Sequence, residues 1–533
     1  MLRQAQHRGY LLLVLHAHLP YIRHPEHEYF LEENWLYEAQ IETYIPLLDL
    51  LERLINDKVN FRLTLSLSPT LVEMFKDSLL QRRFLSYLLR LIELTEKEIL
   101  RTKKDAELSP ISKLYNERLK RIRYIYEEHF GSDLVSRINW LSQTDSIEII
   151  TTSATHAYLP NLSVFPDAVR AQISLALSEH KRNFSVPSKG MWLPECGYYE
   201  GLDLILKENN IGFFFMEGHG ILHGKPCPSY SVFKPVRCTS GVVAFGRDSA
   251  SSKEVWSRTE GYPGDPFYRD FYKDIGFGLP MRYLRPYIHP CGIRIPTGIK
   301  YYRIGGKRKK PYVRNMALKR AEVHANDFVM KRKSQIEDLN LRYKFNPIIT
   351  ASYDAELFGH WWFEGIDWLE YLLRRLHHED AIKSITASEY LREDHDLETV
   401  SPAMSSWGRG GYGDTWCSPR NNWAVRHVHM ASRRMSELLK RFPQTDNPLL
   451  KRTLNQALRE LLLMQASDWL FMIETGTSPH YGEERLHLHI KAFGRLYDMA
   501  MKGKIEEEFV LGLESKNNIF PFIDYRVYTI SQE

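Results

Sequence analysis

Four short apolar runs share a feature that limits what this chain can fold into: a polar or ionisable residue stands just past the C-terminal end of each. Tyr10–Leu15 leads into His16 and His18, Ile147–Thr152 into Thr155 and His156, Gly190–Pro194 into Glu195, and Pro347–Tyr353 into Asp354. Most are bounded by turn formers and hold β-branched or aromatic residues, as strands buried on both faces do. Phe61–Ser68, Ile211–Met216 and Gly241–Phe245 read as further strands. Helical stretches alternate with them. Asn34–Ile55 has apolar residues at helical spacing (Trp35, Ile41, Ile45, Leu48, Leu51, Ile55), with Pro46 placed to kink or divide it. Phe165–His180 and Gly201–Asn209 also read as helices. Such alternation builds a parallel sheet, and α/β barrels carry their chemistry at strand ends.

Two stretches break the pattern. Leu79–Ile138 is charged and helix-rich, and is expected to be a helical hairpin inserted between two strands. After about Glu398 no strand is evident until the last residues, and Arg420–Arg441, Pro448–Gln465 and Glu483–Met501 read as helices. The expected organisation is a barrel over residues 1–398, with an inserted helical subdomain at 79–138, followed by a helical domain over 399–533. Apolar residues make up 43% and charged residues 26%, which excludes wholesale disorder and a fibrous repeat. The net charge of +5, from 71 basic and 66 acidic side chains, is too balanced for nucleic acid as the main partner. The basic run Lys307–Lys310 reads as a solvated loop. Cys196, Cys227, Cys238, Cys291 and Cys417 are scattered, odd in number and without a CxxC pair, which argues against a disulfide framework or a structural zinc site. No apolar run approaches the ~18 residues that would span a bilayer. The short apolar stretch near the start runs into His16-Ala-His18 instead of a small-residue cleavage site, so it reads as a buried first strand. A cytoplasmic protein, monomeric or weakly homo-oligomeric, with no membrane partner, is expected.

The candidate chemistry begins with Glu195, in Trp-Leu-Pro-Glu-Cys-Gly-Tyr, and Asp354, in Tyr-Asp-Ala-Glu-Leu-Phe-Gly-His-Trp-Trp-Phe-Glu-Gly. Cleaving a glycosidic bond needs one carboxyl to protonate the leaving oxygen and another to attack or assist at the sugar carbon, about 5–5.5 Å apart in retaining enzymes. Either residue alone could equally be a helix cap; Trp192, Trp361, Trp362 and Phe363 nearby add faces on which sugar rings stack. His16-Ala-His18 is also how barrel metallohydrolases open a metal site, which His156, His219, Asp354 or His360 could complete. Against that reading, no HExxH occurs, and Tyr21 and Arg23 read as sugar or anion contacts. Ser405–Tyr412 and Trp416 form a glycine-punctuated loop whose Trp407, Tyr412 and Trp416 suit ligand platforms. Asp468, inside the helical stretch Gln465–Trp469, must be paired or functional on so apolar a face. No GxxxxGK[ST] or GxSxG occurs, and the GxGxxG at Gly408, Gly410 and Gly413 follows no strand and opens no βαβ unit. The 12% aromatic content suits stacking on a large ligand, although core packing could also use it.

Five of these segments, in order, resemble glycoside hydrolase family 57 and its α-1,4-glucan branching subgroup: His16–Tyr21, Ala154–Pro160, Trp192–Tyr198, Tyr353–Trp362 and Ser405–Gly408. Glu260–Asp265 and Gln465–Trp469 are similar to that subgroup as well, so the resemblance spans nearly the whole chain. It implies an α/β fold, an incomplete (β/α)7 barrel with an inserted helical hairpin and a C-terminal helical domain. It also implies a retaining mechanism, with Glu195 as nucleophile and Asp354 as general acid/base. His16, His18, His156, Trp407, Trp416 and Asp468 would line glucan subsites, and Trp192 and Trp361 would offer stacking surfaces. No metal and no cofactor are implied. The expected reaction transfers a chain of amylose, amylopectin or glycogen to a 6-hydroxyl. The alternatives are an α-amylase or 4-α-glucanotransferase, and a non-catalytic glucan-binding protein. Two departures stand out: Met216-Glu217-Gly218-His219 replaces an Asp-Thr-His-Gly type segment, and Cys417 follows Trp416 where an aliphatic residue is more usual.

Overall fold

In the computed structural model, which describes residues 9–306, 309–394 and 396–528, each of the seven expected strands forms. The strands are β1 (Gly9–Ala17), β2 (Leu63–Leu67), β3 (Ile147–Thr151), β4 (Gly190–Trp192), β5 (Phe213–Met216), β6 (Val236–Arg237), β7 (Val243–Gly246), β8 (Ile348–Asp354) and β9 (Ile382–Ser384). They make one sheet in the order β6-β7-β5-β4-β3-β2-β1-β8. Only the β6–β7 pair is antiparallel; the others run parallel, as strands joined by long crossovers must. The two- and three-residue strands β6 and β9 were not apparent in the sequence. β9 pairs with Gly9–Leu11, on the edge of β1 that β2 takes further along at Val14–Ala17. Among the described residues no ladder joins β7 to β8, so the seven parallel strands β1–β5, β7 and β8 curl into an incomplete (β/α)7 barrel.

Alternation along the strands divides the core in two. Leu11, Leu13 and Leu15 of β1 belong to the large cluster shared with the helices. Tyr10, Leu12 and Val14 instead pack with Ile150, Trp192, Phe213, Phe215, Val243, Phe245 and Ile348, which fill the barrel interior. The period-two rule then turns His16 to the same inner side. Register does the rest: β1 aligns His16 with Ser66 of β2 on one side and Asp354 of β8 on the other, so three polar residues stand in one row where the apolar interior ends.

The first crossover does not break at Pro46. Helix Glu33–Ala39 passes through a π-helical turn at Gln40–Tyr44 and continues as Ile45–Asn56. The proline has no N–H to give to Glu42, and the wider turn absorbs the mismatch. The released Glu42 carbonyl accepts a bond from Arg118 at 3.4 Å and packs against Gly359. A Cβ on Gly359 would lie 1.9 Å from that oxygen, and its φ of +103° also requires glycine.

The insertion between β2 and β3 is a hairpin of helices Ser78–Thr102 and Ser109–Tyr124, followed by a third helix, Leu134–Ser142, that leads back to the sheet. Of the basic run, Lys307 and Arg308 lie outside the described residues, and Lys309 pairs with Asp270. Beyond β9 the described chain holds no strand; its main helices are Asn422–Arg441, Pro448–Met464, Ser467–Thr475, Pro479–Lys502 and Glu507–Lys516. Residues 529–533, where the sequence left room for a strand, lie outside the described residues. All five cysteines are free thiols, and no described helix is long and apolar enough to cross a membrane.

Candidate active site

The polar groups at the strand ends converge with three residues of the C-terminal region. His16 is buried, with Nδ1 3.0 Å from Ser66 Oγ and Nε2 2.9 Å from Nε2 of His156, and its ring stacks on Trp192. His156 follows β3 in a left-handed conformation (φ 55°), and its Nδ1 lies 2.9 Å from Ser467 Oγ. Its backbone carbonyl accepts from the N–H of Ser467 at 3.0 Å, which brings the start of helix Ser467–Thr475 to the barrel. Burial holds His16 and His156 well below the ordinary histidine range, so both rings are neutral at pH 7. The His18 ring stacks on His156 at 3.8 Å, and its Nε2 meets both oxygens of Asp468 at 3.0 and 3.1 Å. Asp468 was expected inside a helix. The chain in fact breaks at Gln465–Ala466, and Asp468 lies in the first turn of the next helix, where unpaired N–H groups favour a carboxylate. One ligand atom each from His18, His156 and Asp468 falls within 4.8 Å of the others, close enough for a divalent cation. His18 Nε2 and both ring nitrogens of His156 are engaged with Asp468, His16 and Ser467, while His18 Nδ1 is buried with no hydrogen-bond partner. His219 and His360 do not join them: His219 bonds the Gly411 carbonyl at 2.8 Å, and His360 bonds Glu42 at 2.7 Å.

Glu195 sits on a tight turn after β4. It and Cys196 both take positive φ (60° and 52°), a conformation that costs a non-glycine residue roughly 1–2 kcal/mol each. The surroundings enforce the turn. Cys196 N–H donates to Leu193 and Gly197 N–H to Pro194, both at 2.9 Å, while the Glu195 carbonyl accepts from Trp407 N–H at 2.9 Å. Each oxygen of the Glu195 carboxyl accepts one donor: Trp407 Nε1 at 2.6 Å on Oε2, and Ser467 Oγ at 2.8 Å on Oε1. Burial pushes Glu195 up to about 8; the two donors pull it down, and the charges of Asp468 and Asp354 add to the rise.

Asp354 ends β8 quite differently. Among the described residues no donor is hydrogen-bonded to its carboxyl. Burial pushes it up to about 6, opposed by the charges of Arg247 and His18. Arg247 is fixed by Glu217 at 3.1 Å and lies 5.3 Å over the Trp407 ring. Two residues on, Glu356 accepts from His18 N–H at 3.2 Å and from Tyr44 OH. Burial and the neighbouring Asp354 charge push it up to about 8. Even with its two donors Glu195 is the harder carboxyl of the two to ionise; the donors lower that barrier and hold both oxygens in one orientation. Asp354 remains free to carry and release a proton. The site thus offers an oriented carboxyl that feels the Asp354 charge and a second carboxyl free to carry a proton, the two kinds of group that double displacement at a sugar carbon uses.

The profile of glycosyl hydrolase family 57 matches residues 12–275, and that of the 1,4-α-glucan branching enzyme C-terminal region matches residues 427–528. A 1,4-α-glucan branching enzyme of Thermococcus kodakarensis is 31% identical, over 96% of this chain and 77% of that protein. The chain belongs to glycosyl hydrolase family 57. Among solved structures, an α-amylase of Thermotoga maritima is 42% identical with a TM-score of 0.92, covering 99% of this chain and 100% of its own. A family 57-type branching enzyme of Pyrococcus horikoshii is 32% identical with a TM-score of 0.89, covering 99% and 97%.

Within this family 57 site several expectations need correction. Trp192 and Trp416 are fully buried, the first against His16 and Trp407 and the second against Tyr158, so neither has an open face for a sugar. Trp362 and Phe363 are buried too. Trp361, by contrast, is 52% exposed and stacks on Phe271 at 4.7 Å. Tyr21 and Arg23 turn away from the site: the tyrosine OH donates to Asn518, and the guanidinium binds Asp77 and the Ser515 carbonyl. Sequence reasoning missed Ser66, Ser467, Arg247 and Glu356. A small hydroxyl carries no spacing signal, but Ser467 next to Asp468 and Glu356 two residues after Asp354 were adjacent to residues already singled out.

Proposed function

We propose that this chain is a retaining α-1,4-glucan branching enzyme in which Glu195 is the nucleophile and Asp354 the general acid/base. The observation that carries this is the asymmetry of the pair: Glu195 has a donor on each carboxyl oxygen, whereas no described residue donates to the carboxyl of Asp354. Asp354 gives its proton to the glycosidic oxygen while Glu195 attacks the anomeric carbon, forming a covalent glycosyl-enzyme. Asp354, now ionised, takes the proton from the 6-hydroxyl of a second glucan as that oxygen attacks, so an α-1,4 link is exchanged for an α-1,6 branch. His16, His18, His156 and Asp468 would hold hydroxyls of the sugar at the cleavage point. Trp407 positions the nucleophile, Trp192 and Trp416 serve as walls behind the subsites, and Trp361 provides an open stacking face. Residues 1–398 would form the catalytic barrel with its 79–138 insertion, and 399–533 the helical domain that lends Trp407, Ser467 and Asp468. The partner is an α-glucan such as amylose, amylopectin or glycogen. The reaction uses no metal or cofactor, and the enzyme works in the cytoplasm as a monomer or weak homo-oligomer.

A second reading, an α-amylase, is favoured by the 42% identity to the Thermotoga maritima protein. The chemistry is the same up to the glycosyl-enzyme, and only the acceptor differs. Incubation of the purified protein with amylose separates the two. New chains released by isoamylase with few new reducing ends identify a branching enzyme. Reducing ends rising in step with bond cleavage, without branches, identify an amylase.

A further inference from the structure

The bonds around the nucleophile form one continuous chain. Ser66 Oγ, His16 Nδ1 and Nε2, His156 Nε2 and Nδ1, Ser467 Oγ and Glu195 Oε1 are linked by contacts of 3.0, 2.9, 2.9 and 2.8 Å. Every member but Glu195 is at least 97% buried, so no bulk water interrupts it. Each neutral imidazole has one N–H and one bare nitrogen, and each serine one O–H, so the direction of a single bond fixes all the others. With Glu195 ionised, Ser467 must donate to it, and the serine oxygen then accepts from His156 Nδ1–H. His156 Nε2 is therefore bare and accepts from His16 Nε2–H, and His16 Nδ1 accepts from Ser66 O–H. If Glu195 held the proton on Oε1, every bond would reverse. The polarity of the chain and the ionisation of the nucleophile are thus a single two-state variable.

We propose that Ser467, backed by His156, His16 and Ser66, is a positioning residue that fixes the orientation of Glu195 and favours its ionised form. The proposal rests on the assignment of Glu195 as nucleophile. The charged and titratable groups facing that carboxyl are His156, Asp468, Asp354, Tyr158 and Cys196. Arg247, whose guanidinium lies over the Trp407 ring, is a cation close by, but it donates to Glu217 and not to Glu195, so the donor hydrogens of Trp407 and Ser467 are the direct support for an anion there. Donors in a chain polarise one another, so the effect should weaken with distance from Glu195.

Two measurements on the full chain test this. In the first, kcat/KM on a maltooligosaccharide is followed against pH. Ser467→Ala should move the acid limb up by about one unit, Ser66→Ala should move it by less, and Ser467→Thr should restore it. A limb that stays in place while the rate falls equally at all pH values would reduce Ser467 to a packing role and overturn the proposal. The second needs no activity. A neutron map of the deuterated protein, at a pH where Glu195 is ionised, should place deuterium on His16 Nε2 and His156 Nδ1 and none on His156 Nε2. Deuterium on His156 Nε2 would overturn the relay. If the map matched but the protein cleaved no α-glucan, the relay would stand and the functional reading would fail.

Discussion

Glu195 and Asp354 close two strands of one sheet, yet their settings share little. Asp354 is the last residue of a regular seven-residue strand whose register with β1 places it beside His16. Its position follows from the sheet, and among the described residues none donates to its carboxyl. Glu195 follows a three-residue strand on a turn with two consecutive left-handed residues, and its position depends on Trp407 and Ser467, both far away in sequence. Asp354 is positioned by local regularity and Glu195 by long-range clamps. This suits the roles proposed for them: a general acid must gain and lose a proton, whereas a nucleophile must hold one orientation as an anion. Strain kept at a functional turn needs surroundings that determine it, and the C-terminal region supplies them here.

The most severe way to break the comparison is to remove the proposed nucleophile. Glu195→Gln should lower turnover on amylose by at least ~10⁴-fold, whatever the leaving group. Asp354→Asn should cost roughly 10²–10⁴-fold on glucans but far less in cleavage of an α-glucosyl fluoride, which needs no protonation to depart. Assay of both variants on both substrates checks the division of labour, and equal losses on the fluoride would contradict it.

Trp407→Phe keeps the ring but removes the donor to Oε2. A hydrogen bond to a charged group contributes about 1.5–3 kcal/mol, so kcat/KM should fall roughly 10- to 100-fold. The acid limb should move up, because the ionised carboxylate loses support. The wild-type pH profile is a gentler probe. Burial pushes Asp354 up to about 6 and Glu195 up to about 8, and because the Asp354 charge acts on Glu195 the two titrations belong to the pair and not to either residue. Between them the pair holds one proton, and the working form needs Glu195 ionised with that proton on Asp354. Below about 6 both carboxyls are protonated and above about 8 neither is, so kcat/KM should be bell-shaped, falling tenfold per unit beyond each limb. A flat profile from pH 5 to 9 would count against this account. His219→Ala should have the smallest effect. It frees the Gly411 carbonyl and the Tyr412 ring from their anchor, loosening the loop that carries Trp407. KM should rise a few-fold, with more reducing ends per branch as water gains access.

The same contrast explains what the sequence could and could not reveal. The parallel strands were legible because both faces are buried, which leaves apolar runs that end in polar residues. β6 and β9 were not, being too short to carry a pattern. Pro46 correctly marked a perturbation, but a π-helical turn resolved it in place of a break, because Arg118 and Gly359 could take up the released carbonyl. At the site, the residue types at strand ends were readable, whereas exposure was not. Trp192 and Trp416 look like sugar platforms in sequence, but burial by neighbours distant in the chain closes their faces. Ser66 gave no signal and Ser467 only its place beside Asp468, since a serine acquires a role only through the partners that folding brings to it. Cross-chain clamps are invisible to local pattern, and Glu195 is the group that depends on them.

The most direct test of this division is to trap the intermediate. Incubation with a 5-fluoro-α-glucosyl fluoride, then proteolysis and mass spectrometry of the labelled peptide, should place the sugar on Glu195 within the Trp192–Tyr198 segment. The label should be absent from Glu195→Gln and should accumulate in Asp354→Asn, where the second step lacks its base. A label on Asp354, or on Glu356 beside it, would contradict the assignment of the two carboxyls.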